Sequence, residues 1–325
     1  MNATMRCLVI GKNEKVRLDQ RSIPFPKDHS NSILQVLLAG ICSTDLAVLD
    51  NQIPGPRPLI MGHEFIAKTV DDPSGRLCVS EINLTCGNCE YCTHGISSHC
   101  VHRTALGISA DGAFAEFVKV PQENIHYLPP TITPEQGVFV EPLAAAVQSI
   151  SIGKISPEKT VGVLGTGRLG LLQIQVLRAY GVTDLVAIGR SPEKLVLAEQ
   201  LGALETRQLE KIGNQDLATF DVVIEATGSP NAMNTAIDLV KSRGTIVMKS
   251  TPGMPAQINL TEIVRREIAV LGSRCGPFKD AIKLLEEGKI QVEPLISAYF
   301  PLEEFREAFK VARQRSTIKV LFDIK

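Results

Sequence analysis

Four cysteines crowd one short stretch of the chain: Cys86, Cys89, Cys92 and Cys100, in the string CGNCEYCTHGISSHC. Their spacing is Cys-x2-Cys-x2-Cys-x7-Cys. Four thiolates so close along a chain can close a tetrahedron around one Zn²⁺. A closed four-sulfur shell leaves no open position, so this zinc is read as structural and the chemistry must lie elsewhere. Four unrelated buried thiols would seldom fall into tandem Cys-x2 steps. A zinc ribbon for nucleic acid would want a basic surround, and this stretch carries Glu90 and no lysine or arginine before Arg103.

The length, 325 residues, suggests two domains with separate cores. A formal net charge of -1 argues against a nucleic-acid or anionic-membrane partner. No apolar run is long enough to span a bilayer. The opening string MNATMRCLVIGKNEKVRLDQ lacks the basic start and long apolar core of a secretory signal. Half of the eight cysteines sit in the zinc cluster and Cys42 in a second candidate site. That is metal usage in a reducing compartment, so a cytoplasmic protein is expected rather than a disulfide framework. Cys7, Cys78 and Cys275 are read as small, buried, inert hydrophobes.

To about residue 142 the texture is β-rich. SILQVLLAGI and GAFAEFVKVP read as strands, and NQIPGPRPLIMG as a loop. TPEQGVFVEPLAAAVQSI reads as a helix with Thr133 as N-cap and Pro134 in its first turn. From about residue 160, apolar runs (TVGVLGTG, DLVAIG, FDVVIEATG, RGTIVMKS, EIAVLGS) alternate with helical patterns. RLGLLQIQVLRAYG reads as an amphipathic helix closed by Gly181. Strands alternating with helices mean an α/β unit with a parallel, doubly wound sheet. Two further helical patterns, PFKDAIKLLEEGKI and PLEEFREAFKVARQRS, precede a strand, TIKVLFDI.

Within that α/β region the string GTGRLG carries Gly165, Thr166, Gly167, Arg168, Leu169 and Gly170, with a buried strand before it and a long helix after it. Gly165 permits a tight turn, Gly167 lets the backbone approach a pyrophosphate, and Gly170 lets helix and strand pack closely. NAD-binding forms place a carboxylate at the end of the next strand to accept the ribose 2′-hydroxyl. Here that end offers Gly189, Arg190 and Ser191. A guanidinium and a hydroxyl suit a 2′-phosphate, so NADP(H) is the expected cofactor. An aspartate placed at Gly189 would be expected to swing the preference toward NAD. The turns ATGSP, with Thr227, and KSTPG follow later strands and could border the cofactor or be plain turn chemistry.

Two more strings matter: GICSTD, with Cys42 and Thr44, and GHEF, with His63 and Glu64. Two zinc signals followed by a nucleotide signal resemble the zinc-dependent medium-chain dehydrogenase/reductase family, in its alcohol, polyol and sugar branch. The resemblance covers nearly the whole chain. It implies a GroES-like β-rich catalytic domain at residues 1–142 with both zinc sites. A Rossmann domain would follow at 143–275, and a return segment at 276–325 would complete the first domain, with the active site in the cleft. It implies Cys42 and His63 as ligands of a catalytic zinc. The third ligand is left open: Glu141 matches the EPLA segment of the polyol branch, and Glu64 can ligate directly with Glu141 acting through water. Thr44 would relay the substrate proton, with Ser43 as the competing hydroxyl, and Asp45 would hydrogen-bond His63. Arg274 would line the cofactor cleft. The implied activity is hydride transfer between NADP(H) and an alcohol or carbonyl compound, most simply a polyol, sugar or secondary alcohol. Two zinc ions per chain and a homodimer or homotetramer are implied as well. A zinc-free quinone or enone reductase on the same fold, and a non-catalytic NADP-binding sensor, remain alternatives.

Overall fold

The computed structural model describes residues 3–12, 15–25, 30–72, 74–251 and 255–324. The chain divides into two compact units, Met1–Glu141 with Leu295–Lys325, and Pro142–Pro294. In chain order the elements are β1 (Thr4–Ile10), β2 (Val16–Ser22), β3 (Asn31–Gly40), α1 (Ser43–Leu49), β4 (Leu59–Ile60), β5 (Glu64–Thr69), β6 (Leu77–Ser80) and β7 (Asn83–Leu84). Next come α2 (Glu90–Thr93), β8 (Thr104–Ala105), β9 (Phe117–Pro121), β10 (Ile125–Tyr127), α3 (Pro134–Val138) and α4 (Val140–Gly153). The second unit continues with β11 (Val161–Leu164), α5 (Arg168–Ala179), β12 (Leu185–Gly189), α6 (Pro192–Gln200), β13 (Glu205–Gln208), β14 (Phe220–Glu225) and α7 (Ala232–Leu239). It closes with β15 (Val240–Met248), α8 (Leu260–Arg265), β16 (Ala269–Gly272) and α9 (Phe278–Glu286). The chain then returns with β17 (Ile296–Pro301), α10 (Phe305–Ala312) and β18 (Lys319–Asp323).

The first unit is β-rich, as expected. Its main sheet runs β10-β6-β5-β3-β18-β17, with β9 also paired to β3. The apolar run SILQVLLAG becomes the centre of that sheet because it meets partners along both edges, β5 on one and β9 followed by β18 on the other. Leu8, Leu34, Phe65, Phe114, Phe309 and Phe322 fill the core. The ring of Phe114 meets Phe322 edge-on at 5.0 Å, a favoured aromatic geometry.

The second unit is a six-stranded sheet of order β13-β12-β11-β14-β15-β16, parallel throughout. That is the doubly wound dinucleotide-binding order. Its strands β11 and β12 are buried on both faces and read as unbroken apolar runs, VGVL and LVAIG.

Three expectations change. The run from Thr133 to Ile150 is two helices rather than one. Thr133 caps the first: its hydroxyl accepts from the Gln136 amide at 3.2 Å, and Gln136 Oε1 accepts the Thr133 amide at 3.0 Å. The helix then breaks at Phe139, because Pro142 has no N–H to give the Val138 carbonyl. The helix after the glycine turn is not amphipathic. Gly170 through Leu177 are all buried, including Gln173 and Gln175. Gln175 offsets its burial by donating to the Gln291 carbonyl at 3.0 Å and accepting the Gln291 amide at 2.7 Å. That amide pair ties the segment after α9 to α5. Accordingly the chain rejoins the first unit at Leu295, not at residue 276.

Candidate functional site

Cys42 ends the loop after β3 and is the N-cap of α1. Asp45, three residues on and fully buried, accepts the Cys42 amide with Oδ2 at 2.8 Å. Its other oxygen lies 3.3 Å from Nδ1 of His63. One carboxylate therefore holds Cys42 by a hydrogen bond and sets its negative charge beside the His63 ring, the place carboxylates take behind ligand histidines. His63 is placed by Gly62, whose φ of +94° takes the left-handed region, where a side chain would meet the Phe114 amide at 2.7 Å. Glu64 opens β5 and is 1 % exposed. Donor atoms of Cys42, His63 and Glu64 all lie within 4.8 Å of one another. Burial opposes charge on His63, but Asp45 and Cys42 outweigh it and hold the imidazole well above its ordinary pKa.

Lys319, the first residue of β18, enters the same pocket fully buried. Its ammonium pairs with Glu64 and donates to the Ile41 carbonyl at 3.4 Å. Gly40 makes the room: any side chain there would fall on the end of Lys319. Burial pulls Lys319 down to about 8, against the pull of Cys42 and Asp45. Sequence reasoning missed this residue. The available signal was a lone lysine between Ile318 and Val320 in an apolar strand.

Thr44 lies in the first turn of α1, half-buried. Ser43 is exposed, with its hydroxyl 3.9 Å from Cys42 Sγ. Glu141 stands half-buried in the first turn of α4 and does not join the Cys42, His63 and Glu64 group. A thiol, an imidazole and a carboxylate converging in a buried pocket are the donor set of a zinc ion, and they fit one.

The four cysteines of the opening motif also converge, with all sulfurs within 4.8 Å of one another. Cys89 and Cys92 are 3.5 Å apart, as are Cys86 and Cys100. Gly87 and Gly95 take positive φ (+73° and +76°), the turns that fold the string back on itself. Backbone N–H groups of Cys92 and Val101, with the sulfurs of Cys92 and Cys100, bring Cys89 down to about 6 despite some desolvation. Desolvation and its sulfur neighbours push Cys92 up to about 11. Cys7 and Cys78 are buried as expected, whereas Cys275 is only half-buried.

In the second unit, Gly165 turns with φ +109°, and a Cβ there would lie 2.8 Å from the Ala226 carbonyl carbon. A Cβ on Gly170 would fall on the Gly165 carbonyl, leaving no room for a side chain. Gly167 is the N-cap of α5, and a Cβ there would have nothing within 4 Å. Arg168 and Leu169 follow in the first turn. An open helix N-terminus beside a bare glycine fits a dinucleotide pyrophosphate. Gly189 ends β12 buried, and Arg190 is exposed with Nε 3.9 Å from Glu210. Ser191 caps α6, accepting the Lys194 amide at 3.4 Å and donating to Glu193 at 2.7 Å.

Two buried charges missed in the sequence organise the remaining turns. Glu225 accepts both the amide and the hydroxyl of Thr227, at 2.7 and 2.6 Å, and the Ser250 hydroxyl. Lys249 donates to the Ala145 carbonyl at 2.6 Å, the Ser273 hydroxyl at 3.0 Å and the Arg274 carbonyl at 3.1 Å. Arg274 itself is exposed. In the KSTPG string, Pro252 and Gly253 lie outside the described residues. Among the described residues no helix is long and apolar enough to cross a membrane.

Known proteins share this architecture. The family described as alcohol dehydrogenase GroES-like domain matches residues 28–130, and that described as zinc-binding dehydrogenase matches 169–287. An L-threonine 3-dehydrogenase of Bacillus licheniformis is 30% identical over 323 residues, covering 92% of this chain and 93% of that protein. A sorbitol dehydrogenase of Halalkalibacterium halodurans is 28% identical over 324 residues, covering 94% of each. A Sinorhizobium meliloti structure, described as a zinc-binding dehydrogenase bound to NADP, superposes with a TM-score of 0.91 at 30% identity, covering 99% of this chain and 100% of that one.

Proposed function

Because this chain belongs to the zinc-dependent medium-chain dehydrogenase family and is an oxidoreductase of the zinc alcohol dehydrogenase type, we propose that it transfers hydride between NADP(H) and a polyol, sugar or secondary alcohol. The observation that carries this reading is the convergence of half-buried Cys42 with buried His63 and Glu64, with Asp45 behind His63. Those three would hold a zinc ion, with Glu141 as a further carboxylate that would serve it directly or through water. When bound, the zinc polarises the substrate oxygen and the nicotinamide carries the hydride.

The chain's own residues do the rest. Asp45 sets its carboxylate 3.3 Å from Nδ1 of His63, so that Nε2 would be the atom offered to a metal. Thr44 relays the substrate hydroxyl proton, passing its own hydroxyl proton on toward the cofactor ribose as it receives the substrate's, a role a positioned side-chain hydroxyl can fill. In the second unit the α5 N-terminus and Gly167 receive the pyrophosphate, with Thr227 and Arg274 on neighbouring turns. Arg190 and Ser191 receive a 2′-phosphate. Cys86, Cys89, Cys92 and Cys100 hold a second, structural zinc. The reading carries a cytoplasmic homodimer or homotetramer with it. The relatives' names, sorbitol and threonine dehydrogenase, support a small hydroxylated substrate, and the NADP-bound neighbour supports the cofactor.

The test is turnover of a panel of polyols, sugars and secondary alcohols with NADP⁺ and NAD⁺, alongside metal analysis. Two zinc ions and faster turnover with NADP⁺ are expected. Zinc-loaded protein that oxidises no alcohol and reduces no carbonyl with either cofactor would overturn the reading.

A further inference from the structure

Gly189 and Thr166 meet at the end of β12. A Cβ built on Gly189 would lie inside van der Waals contact of Thr166 Oγ1, 3.0 Å from its Cγ2 and 3.2 Å from its Cβ. Both heavy substituents of the threonine thus face Gly189. Three staggered positions surround a threonine Cβ, and heavy atoms fill two of them. Whichever rotamer Thr166 adopts, at least one heavy atom stays against residue 189. Both backbones are engaged by their neighbours. Thr166 is 5 % exposed and follows Gly165, which is pressed on Ala226 and donates to the Ile188 carbonyl at 2.8 Å. Gly189 is paired with Gln208 of β13.

We propose that Thr166 is a specificity-determining residue that bars any side chain, above all a carboxylate, from position 189. It thereby removes the acceptor for a ribose 2′-hydroxyl and leaves recognition of that end of the cofactor to Arg190. The proposal rests on the NADP(H) reading and gives it a steric cause. An aspartate at 189 alone then cannot convert the enzyme to NAD. The obstacle sits in the glycine-rich turn, not on the strand that carries the substitution.

The test is a four-corner comparison of wild type, Thr166→Ala, Gly189→Asp and the double variant. Binding of NADPH and NADH is measured by calorimetry without substrate, and each protein is followed by thermal melting. Gly189→Asp should melt lower than wild type and gain nothing for NADH. The double variant should recover melting temperature and bind NADH at least about tenfold more tightly than Gly189→Asp. If Gly189→Asp melts like wild type and gains NADH as much as the double variant does, Thr166 is not the obstacle. A stable double variant with no gain for NADH overturns the proposal equally. Should Gly189→Asp fail to fold, Gly189→Ala replaces it. Its melting temperature should fall with Thr166 present and recover with Thr166→Ala, and an unchanged melting temperature with Thr166 present refutes the clash. Wild-type protein that binds NADH more tightly than NADPH sinks the NADP(H) reading, while the melting coupling between 166 and 189 still decides the steric claim.

Discussion

Lys319 meets Glu64 where neither side chain sees solvent, beside the thiol of Cys42 and the imidazole of His63. The pair puts a cation against the one carboxylate that the metal-ligating group contains.

Removing either charge strands the other in the core. In metal-free protein, Lys319→Met and Glu64→Gln should each destabilise the first unit by about 3–5 kcal/mol, the usual cost of an orphaned buried charge. The double variant should lose less than the sum of the two. Urea unfolding of all four proteins checks this, and additive losses would mean that the charges do not act as a pair.

The two sulfur-containing sites should separate by substitution. Cys89→Ser should lose one zinc ion and lower the melting temperature, since a closed four-sulfur shell contributes folding energy. Cys42→Ser should lose or weaken the other ion while the fold persists. Metal analysis with parallel melting distinguishes them.

Metal loading of the four-cysteine lobe should strengthen as pH rises. Cys89, near 6, is already a thiolate at neutral pH, whereas Cys92, near 11, must give up its proton to the incoming ion. Each proton released makes binding tighter at higher pH. Competition with a zinc chelator at pH 6.5 and 8.5 should show the higher affinity at 8.5. Equal affinities would mean that the cysteines are already deprotonated.

Thr44→Val keeps the shape and removes the hydroxyl. Turnover should fall by about 10²–10⁴, the contribution of a positioned proton transfer, with little change in cofactor affinity. Near wild-type turnover would assign the relay to Ser43 or water.

Arg190 is shared between Glu210 and the expected 2′-phosphate. Arg190→Ala should weaken NADPH binding about ten- to a hundredfold, as loss of a hydrogen bond to a charged group does. NADH binding should change little. Glu210→Gln should shift NADPH binding the other way, modestly, because an exposed pair at this distance is worth under about 1 kcal/mol. Calorimetric titration of both cofactors reads the difference.

Local spacing carried much of this. The tandem cysteine steps, the glycine turn and the alternation of strands with helices are patterns within single segments, and each is present. What the chain did not disclose depends on residues far apart. Lys319 reads as an ordinary strand lysine until β18 lies beside β3 and Gly40 opens a space for it. Thr166 reads as a variable turn residue until β12 brings Gly189 against it. The apolar face of α9 says that it packs, but not which core receives it; the Gln175–Gln291 amide pair decides that. The break at Phe139 was visible in Pro142 and was outweighed by the apolar run around it.

The position of β18 also sets an order of assembly. It lies between β3 and β17 in the first unit's main sheet, yet it follows the entire second unit in the chain. During synthesis, residues 142–294 are complete before the first unit can close its sheet. Domains fold as units while the chain grows, so the second unit can fold while the first waits. Until Lys319 arrives, the nascent chain carries Glu64 without its cation. A prematurely released chain lacking β18 would therefore hold a finished nucleotide-binding unit beside an open sheet edge, the kind of surface on which chaperones and proteases act.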